Sequence, residues 1–371
     1  MWYRECMTER EAWIAFSTFT QIGPQRFKLL VQYFGSALTA WSAPIKTYRE
    51  IGFSERLASS FDKHRKTFSF ASYLKQLSAL KVEVCLLGDK NYPVRLASLD
   101  DAPFVLYVRA EADETLADLT DISLAVIGTR KMSAYGRDVC ERLVTQLVDS
   151  GMTIVSGLAL GIDSVAHRTA LSAGGKTVAV LAGGVESVYP PSNTGLGREI
   201  TKNGAIISEY PLGYPCFQQN FPVRNRIVSG LALGVLVIEG TEHSGTLLTA
   251  SSAAKQGREV FAVPGPITSP TSKAPNLLIR EGAKLVESVQ DILEELKIEL
   301  RIKNYESRKV IKTTKEEEKL LEILAAEGLD IDSIVRISGM QTGDILGSLM
   351  QLELKGLVKN AGGIYSKTSN V

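Results

Sequence analysis

One stretch limits what this chain can fold into. Leu124-Ala125-Val126-Ile127 is an apolar run of strand length, and Gly128-Thr129-Arg130 ends it at once. Past Tyr135-Gly136, Val139, Leu143 and Leu147 fall on one helical face. Strand, glycine turn and helix make the first unit of a nucleotide-binding-type α/β sheet, where ligands lie beyond the carboxyl ends of the strands. Gly128 lets backbone approach a ligand closely, and free N–H groups at the helix entrance favour an anion. Arg130 adds a planar fork suited to phosphate oxygens. Alone, the stretch reads equally well as a tight turn beside a solvated arginine.

The pattern recurs downstream. Thr153-Ile154-Val155 ends at Ser156-Gly157, and after Gly161 the reading has Asp163 cap a helix carrying Val165, Ala166 and Leu171. Thr177–Leu181 ends at Gly183-Gly184, and 205–208, 235–238 and 259–263 continue the series, with 284–286 as its close. Strands apolar on both faces belong in a parallel sheet covered by helices. The expected class is therefore α/β, with a Rossmann-like, mostly parallel sheet core over 76–296. Residues 1–75 read as helical. Their Gln21-Ile22-Gly23-Pro24 turn resembles a helix-hairpin-helix module, which can seat a DNA phosphate, but sparse Lys and Arg near the turn favour a small bundle that only packs on its neighbour. Residues 82–108 hold strand-like runs leading into the core. A charged linker is expected at 297–315 and a winged helix at 316–371, with Thr342 capping its third helix. That helix offers Asp344, Ser348, Gln351 and Glu353 but no arginine, so contact with a partner competes with DNA reading.

A chain of 371 residues is expected to hold two or three domains. A formal net charge of +1 gives no global pull toward nucleic acid, so any polyanion site must be local. Four cysteines without a CxxC pair, and three histidines, argue against structural zinc and for reduced thiols. The N-terminus lacks the apolar core of a signal peptide, and no apolar run nears the roughly 18 residues that span a membrane. A cytoplasmic protein is expected.

Parallel strands place their glycine-bearing ends along one edge. The groove so formed is expected to hold Gly128, Thr129, Arg130, Ser133, Ser156, Gly157, Gly161, Gly183, Ser244, Gly245 and Thr246. Arg224, Asn225 and Arg226, read as lying just before an apolar helix, join them. This is a phosphate-binding surface without a carboxylate pair or a nucleophile–histidine couple. His167 reads as a packed or capping residue, and His243 sits near the groove without a visible partner. Glu209 and Glu239, which could each serve as a base, read rather as orienting an arginine. GxGxxG and Walker A spacings are both absent, which disfavours NAD, FAD and ATP hydrolysis. No catalytic residue, metal or cofactor is expected.

The blocks VIGTRKMSAYG (126–136), SGLALGIDSVAH (156–167) and TVAVLAGGVESVYPPSN (177–193) resemble the DNA-processing protein A (DprA/Smf) family. So do SEYPLG (208–213), FPVRNRIVSGLALGVLVIEG (221–240), SGTLLTASSAAKQGREVFAVPG (244–265) and NLLIREGAKLV (276–286). The resemblance implies a protein that binds single-stranded DNA, protects incoming DNA in natural transformation and loads the RecA recombinase. It implies a homodimer, for which Leu277, Leu278 and Ile279 are the candidate interface. Arg130 would then hold a phosphate and a base would stack on Tyr135 or Phe221. Two departures stand out: Pro191 where the family often has a basic residue, and Ala274-Pro275 before Asn276. The main alternative is a Rossmann-like phosphoribohydrolase acting on nucleoside monophosphates, but His243-Ser244-Gly245-Thr246-Leu247-Leu248-Thr249 lacks that signature's glutamate. A winged-helix transcription factor with a ligand-sensing core is a more distant one.

Overall fold

The computed structural model describes residues 7–242, 244–298, 314–324 and 328–367. Cys6, His243 and most of the expected linker lie outside them. Met1–Arg301 forms one compact unit and Ile302–Val371 a second.

The first unit begins with helices α1 (Glu9–Ser17), α2 (Pro24–Phe34), α3 (Ala37–Ser42), α4 (Ile45–Glu50), α5 (Glu55–Thr67) and α6 (Phe70–Ala79). Their aromatic side chains lock together: Phe16 stacks on Phe61 at 5.3 Å and meets Trp41 edge-on at 5.1 Å. The same cluster runs without a break into the sheet, through Phe104, Tyr107 and Ile206. Phe27 stacks on Phe104 at 3.9 Å, and the Ser17 and Tyr107 hydroxyls meet at 2.5 Å. The Gly23-Pro24 turn faces a cleft of about 150 Å³ shared with Phe104, Glu209 and Arg226.

Next come β1 (Val82–Leu86), α7 (Val94–Ala97), β2 (Val105–Ala110), α8 (Leu116–Asp121), β3 (Ser123–Ile127), α9 (Ala134–Asp149), β4 (Thr153–Ser156), α10 (Ile162–Ser172) and β5 (Thr177–Val180). The unit continues through α11 (Thr194–Lys202), β6 (Gly204–Ser208), α12 (Asn220–Leu231), β7 (Gly234–Val237), α13 (Gly245–Lys255), β8 (Glu259–Ala262), α14 (Lys273–Arg280), β9 (Lys284–Leu285) and α15 (Val289–Glu295). The nine-stranded sheet has the order β1-β2-β6-β5-β4-β3-β7-β8-β9. From β6 to β9 every pairing is parallel, while β1 and β2 add an antiparallel edge. The strand-like runs at 82–108 are thus part of the sheet itself. Strand β3 is buried throughout, and its side chains alternate. Leu124 and Val126 pack with Leu143 and Leu147 of α9, whereas Ala125 and Ile127 pack with Ile227 of α12 and Ala250 of α13. Each fully buried aliphatic chain of this kind stabilises the fold by roughly 1.5–3 kcal/mol.

The chain runs outward from β3 through β4 and β5 to β6, then returns to place β7 on the other side of β3. This reversal is a topological switch point, which opens a crevice beyond the ends of β3 and β7.

The second unit comprises α16 (Lys315–Ile323), β10 (Leu329–Asp330), α17 (Ile331–Ser338), α18 (Thr342–Leu354), β11 (Val358–Ala361) and β12 (Ile364–Lys367). The three-stranded sheet, ordered β10-β12-β11, closes over Leu320, Ile334, Ile345, Leu349 and Leu352. Gln341, not Thr342, is the N-cap of α18, and Thr342 opens the helix. Its exposed face carries Asp344, Leu346, Met350 and Glu353.

Candidate nucleic-acid interface

The crevice holds a pocket of about 740 Å³. Its walls come from the β3–α9 and β4–α10 loops, from α12 and from the first turn of α13.

Gly128, Thr129 and Arg130 all line it. The Thr129 N–H donates to the Glu239 carbonyl (2.8 Å), and the Thr129 carbonyl accepts from the Ile162 N–H (3.2 Å). A Cβ on Gly128 would drive into Ile162, and one on Gly161, at φ +80°, would drive into Thr129 and Arg130. Both glycines therefore let the loop settle onto α10. Gly161 serves the pocket from behind and does not line it. The Arg130 guanidinium lies over the Phe221 ring, 4.9 Å from its centroid, and no carboxylate pairs with it among the described residues. Stacking on an aromatic face suits a guanidinium and leaves its N–H groups free.

Beneath lies Arg224, which is 4% exposed. It donates to the Val180 carbonyl, and its Nε has no partner among the described residues. A Cβ on Gly157 would occupy the guanidinium's place. Asp163 lies in the first turn of α10; its carboxylate accepts from the N–H groups of Gly157 (3.1 Å) and Ala159 (3.4 Å). Gly161, not Asp163, is the N-cap. Burial pushes the Asp163 carboxyl above its ordinary range, against the pull of Arg224. Burial likewise lowers Arg224, while Asp163 favours its charge.

The expected arginine pair divides. Arg224, Asn225 and Arg226 lie within α12 rather than before it. At about 100° per residue, positions two apart face opposite ways. Arg224 and Asn225 line the pocket, whereas Arg226 faces the cleft at the Gly23-Pro24 turn. There it binds Glu209 (2.5 Å) and Asp101 (3.3 Å). Burial raises the Glu209 carboxyl, with the Arg226 charge opposing. Glu209 thus orients an arginine, but not one that faces the pocket.

Glu239 does something else. It is 2% exposed and accepts from the Ser133 N–H (2.9 Å), the Ser133 hydroxyl (2.7 Å) and the Thr271 hydroxyl (2.7 Å). Ser133 in turn caps α9 at Gly136, where a Cβ would strike the Glu239 carboxylate. Ser133 is thus a capping residue that does not line the pocket.

Ser156 is a strut: buried, it donates to the Val126 carbonyl (2.7 Å). Gly183 packs on the backbone of Tyr214 and Cys216 and holds that loop in place. His167 is packed, as the sequence reading has it: its Nδ1 meets the Thr177 hydroxyl at 2.6 Å, and burial pushes its pKa down to about 3.

Ser244, Gly245 and Thr246 line the pocket at the start of α13. Among the described residues no side chain caps this helix, and the Ser244 hydroxyl has no partner. The first-turn N–H groups of an uncapped helix, together with its dipole, favour an anion.

Sequence reasoning missed Tyr189, Cys216, Gln218 and Leu248, which also line the pocket. The YPP punctuation after the β5 glycines is a signal for a loop at this edge, although it does not say that Tyr189 turns inward. Tyr135, by contrast, is off the wall and donates to the Pro264 carbonyl (2.6 Å). On α14, Leu278 belongs to the core of its own chain, and Leu277 and Ile279 are half-buried. Among the described residues no His, Cys, Asp and Glu group is placed to hold a metal ion. Nor is any helix among them long and apolar enough to cross a membrane.

The family model for DNA recombination-mediator protein A matches residues 83–297, and that for the DprA winged helix domain matches 306–363. Protein Smf of Escherichia coli is 39% identical over 285 residues, covering 74% of each chain. The crystal structure of DNA processing protein A from Streptococcus pneumoniae superposes with a TM-score of 0.67 at 33% identity, covering 78% of this chain and 98% of that one. The solved structure of DNA processing protein A from Helicobacter pylori, described for its single-stranded DNA binding mode, gives a TM-score of 0.52 at 28% identity, covering 59% of this chain and 97% of that one. The second unit is accordingly a winged helix, the sheet core is Rossmann-like, and the chain belongs to the DNA recombination-mediator protein A (DprA/Smf) family.

Proposed function

We propose that this protein binds single-stranded DNA in the crevice beyond β3 and β7, as a binding protein and not an enzyme. In this reading it protects incoming strands and loads RecA onto them in the cytoplasm, during natural transformation and recombination. One observation carries the reading. Arg130 is held on Phe221 without a carboxylate partner, facing the same pocket as the uncapped start of α13 and the buried Arg224. Donors that the fold leaves unused are what a phosphodiester chain requires. The strand that the Helicobacter pylori relative binds is of the same chemistry. Units 1–75, 76–296, 297–315 and 316–371 remain the proposed division of labour. A homodimer would use Leu277 and Ile279, since Leu278 is committed to the core.

The test is binding of a labelled oligonucleotide across a salt series, with duplex as competitor, for the wild type and Arg130→Ala. We expect single-strand binding that survives duplex, falls about tenfold or more in the variant, and loses about one unit of salt slope. Equal preference for duplex, or release of free base from nucleoside monophosphates, would overturn the reading.

A further inference from the structure

We propose that Tyr189 is the base-stacking residue of this pocket, taking one unpaired nucleobase of any sequence on its open face. This rests on the single-strand reading above. A strand gripped through its phosphates exposes flat, apolar bases, and an aromatic face is the chemistry that shields them without reading sequence. The candidates near the pocket differ in what their faces already do. The hydroxyl of Tyr135 is engaged with Pro264, and the ring is not on the wall. Phe221 is half-buried, with the Arg130 guanidinium over its ring. Phe217 is 47% exposed but lies edge-on to Tyr214 at 5.8 Å and is not on the wall.

Tyr189 alone among these is both on the wall and open, at 48% exposure. Its ring centroid is 6.0 Å from that of Phe221, at an interplanar angle of 47°. Arg130, Phe221 and Tyr189 therefore form a graded series: a cation over the ring of Phe221, and a second ring tilted beside it. Phe221 thus adjoins both the guanidinium, 4.9 Å from its centroid, and the open ring of Tyr189, 6.0 Å from it. In the proposed pose one nucleotide has its phosphate on Arg130 and its base on Tyr189, with Phe221 adjoining both. Phe221 then acts as a spacer that sets the distance between the two and is not itself the platform.

The experiment is a cycle between protein and strand. Wild type, Tyr189→Ala and Tyr189→Phe are each titrated with oligothymidylate and with an abasic strand of equal length, and Phe217→Ala serves as an aromatic control. Wild type should prefer the thymidylate strand by about tenfold, within the range for loss of one stacked base. Tyr189→Ala should lose about that factor on thymidylate and nothing on the abasic strand, while Tyr189→Phe and Phe217→Ala keep it. Photo-crosslinking of bromodeoxyuridine to wild type should mark the peptide containing Tyr189, a readout that needs no variant to fold. Equal losses on both strands, unchanged thymidylate binding by Tyr189→Ala, or a crosslink elsewhere overturns the proposal. Wild type that binds both strands equally overturns the stack alone, and wild type that binds neither overturns the reading of the pocket as well.

Discussion

Two helices enter the crevice from neighbouring strands, and they meet it in opposite states. Helix α9 is closed by the protein itself: Ser133 caps it, and the Glu239 carboxylate accepts three hydrogen bonds around its first turn. Helix α13 is left open: no side chain among the described residues caps it, and the Ser244 hydroxyl at the cap position has no partner among them. The same electrostatics acts at both ends, since a helix N-terminus favours negative charge wherever it comes from. At α9 the fold supplies that charge and gains stability; at α13 it supplies no side-chain cap, which is where the proposed function puts a phosphate. An anion site is recognised by the donors a fold leaves unused rather than by how many glycine turns it has.

The floor of the pocket belongs with α9, and breaking it should have the largest effect. Asp163→Ala leaves Arg224, 4% exposed, without its neighbouring carboxylate. Loss of the neighbouring charge, and of the acceptor that the Gly157 and Ala159 N–H groups share, costs about 1–3 kcal/mol for each group left unpaired. Chemical denaturation should show a loss of this size, with Asp163→Asn falling between. A loss below about 1 kcal/mol would mean that Arg224 is balanced by other groups.

Glu239→Gln comes next. The amide keeps the shape but can accept on one side only, so one of the donors at Ser133 or Thr271 loses its partner. An expected cost of about 1–3 kcal/mol should be visible in thermal melting. Single-strand affinity should fall as well, because a side chain that loses its anchors at Ser133 and Thr271 loosens the Glu239 backbone, whose carbonyl holds Thr129. Lower stability with unchanged affinity per folded molecule would separate the closed helix from the loop that carries Arg130.

Acid sharpens the contrast by acting on the buried part. His167 has a folded pKa of about 3 against 6.5 for the free side chain. Between those values the unfolded chain binds the extra proton, so stability is fully present above about pH 6.5 and falls as pH drops, by up to about 1.4 kcal/mol per pH unit. Asp163, whose pKa is raised, acts with the opposite sign above its ordinary range. The difference between wild type and His167→Gln isolates the histidine. Parallel pH profiles for the two would show that His167 is not buried neutral.

Much of this was legible in the sequence, and the losses have physical causes. Apolar runs ending in glycine located β3, β4, β5 and β7, because a two-sided buried strand has a composition that few other elements share. Gly128-Thr129-Arg130 and Ser244-Gly245-Thr246 followed from the strand ends alone. Arg226 was misplaced because the helix begins earlier, at Asn220, and helical phase then turns it toward Glu209. Glu239 was read without its partner at Ser133, which lies in another loop 106 residues away, and Asp163 was read as a cap although its carboxylate turns back to the Gly157 and Ala159 N–H groups. Tyr135 and Tyr189 look alike as residues, and only the path of the loop decides which faces the pocket.

The smallest expected change in stability is the most direct test of the comparison. Ser244→Asp places a carboxylate at the cap of α13 and so gives it the charge that Glu239 gives α9. An aspartate cap is worth about 0.5–2 kcal/mol when it engages the first-turn N–H groups, and its charge complements the helix dipole. Melting should therefore rise slightly. Single-strand affinity should move the other way, by about tenfold or more, because the new carboxylate occupies the N–H groups and repels a phosphate within a few ångströms. A variant that melts higher and binds less would show that the open cap is kept for the ligand at the expense of the fold. If it melts higher and binds as before, phosphate does not sit at α13, and Arg130 with Arg224 must hold the strand from the other wall.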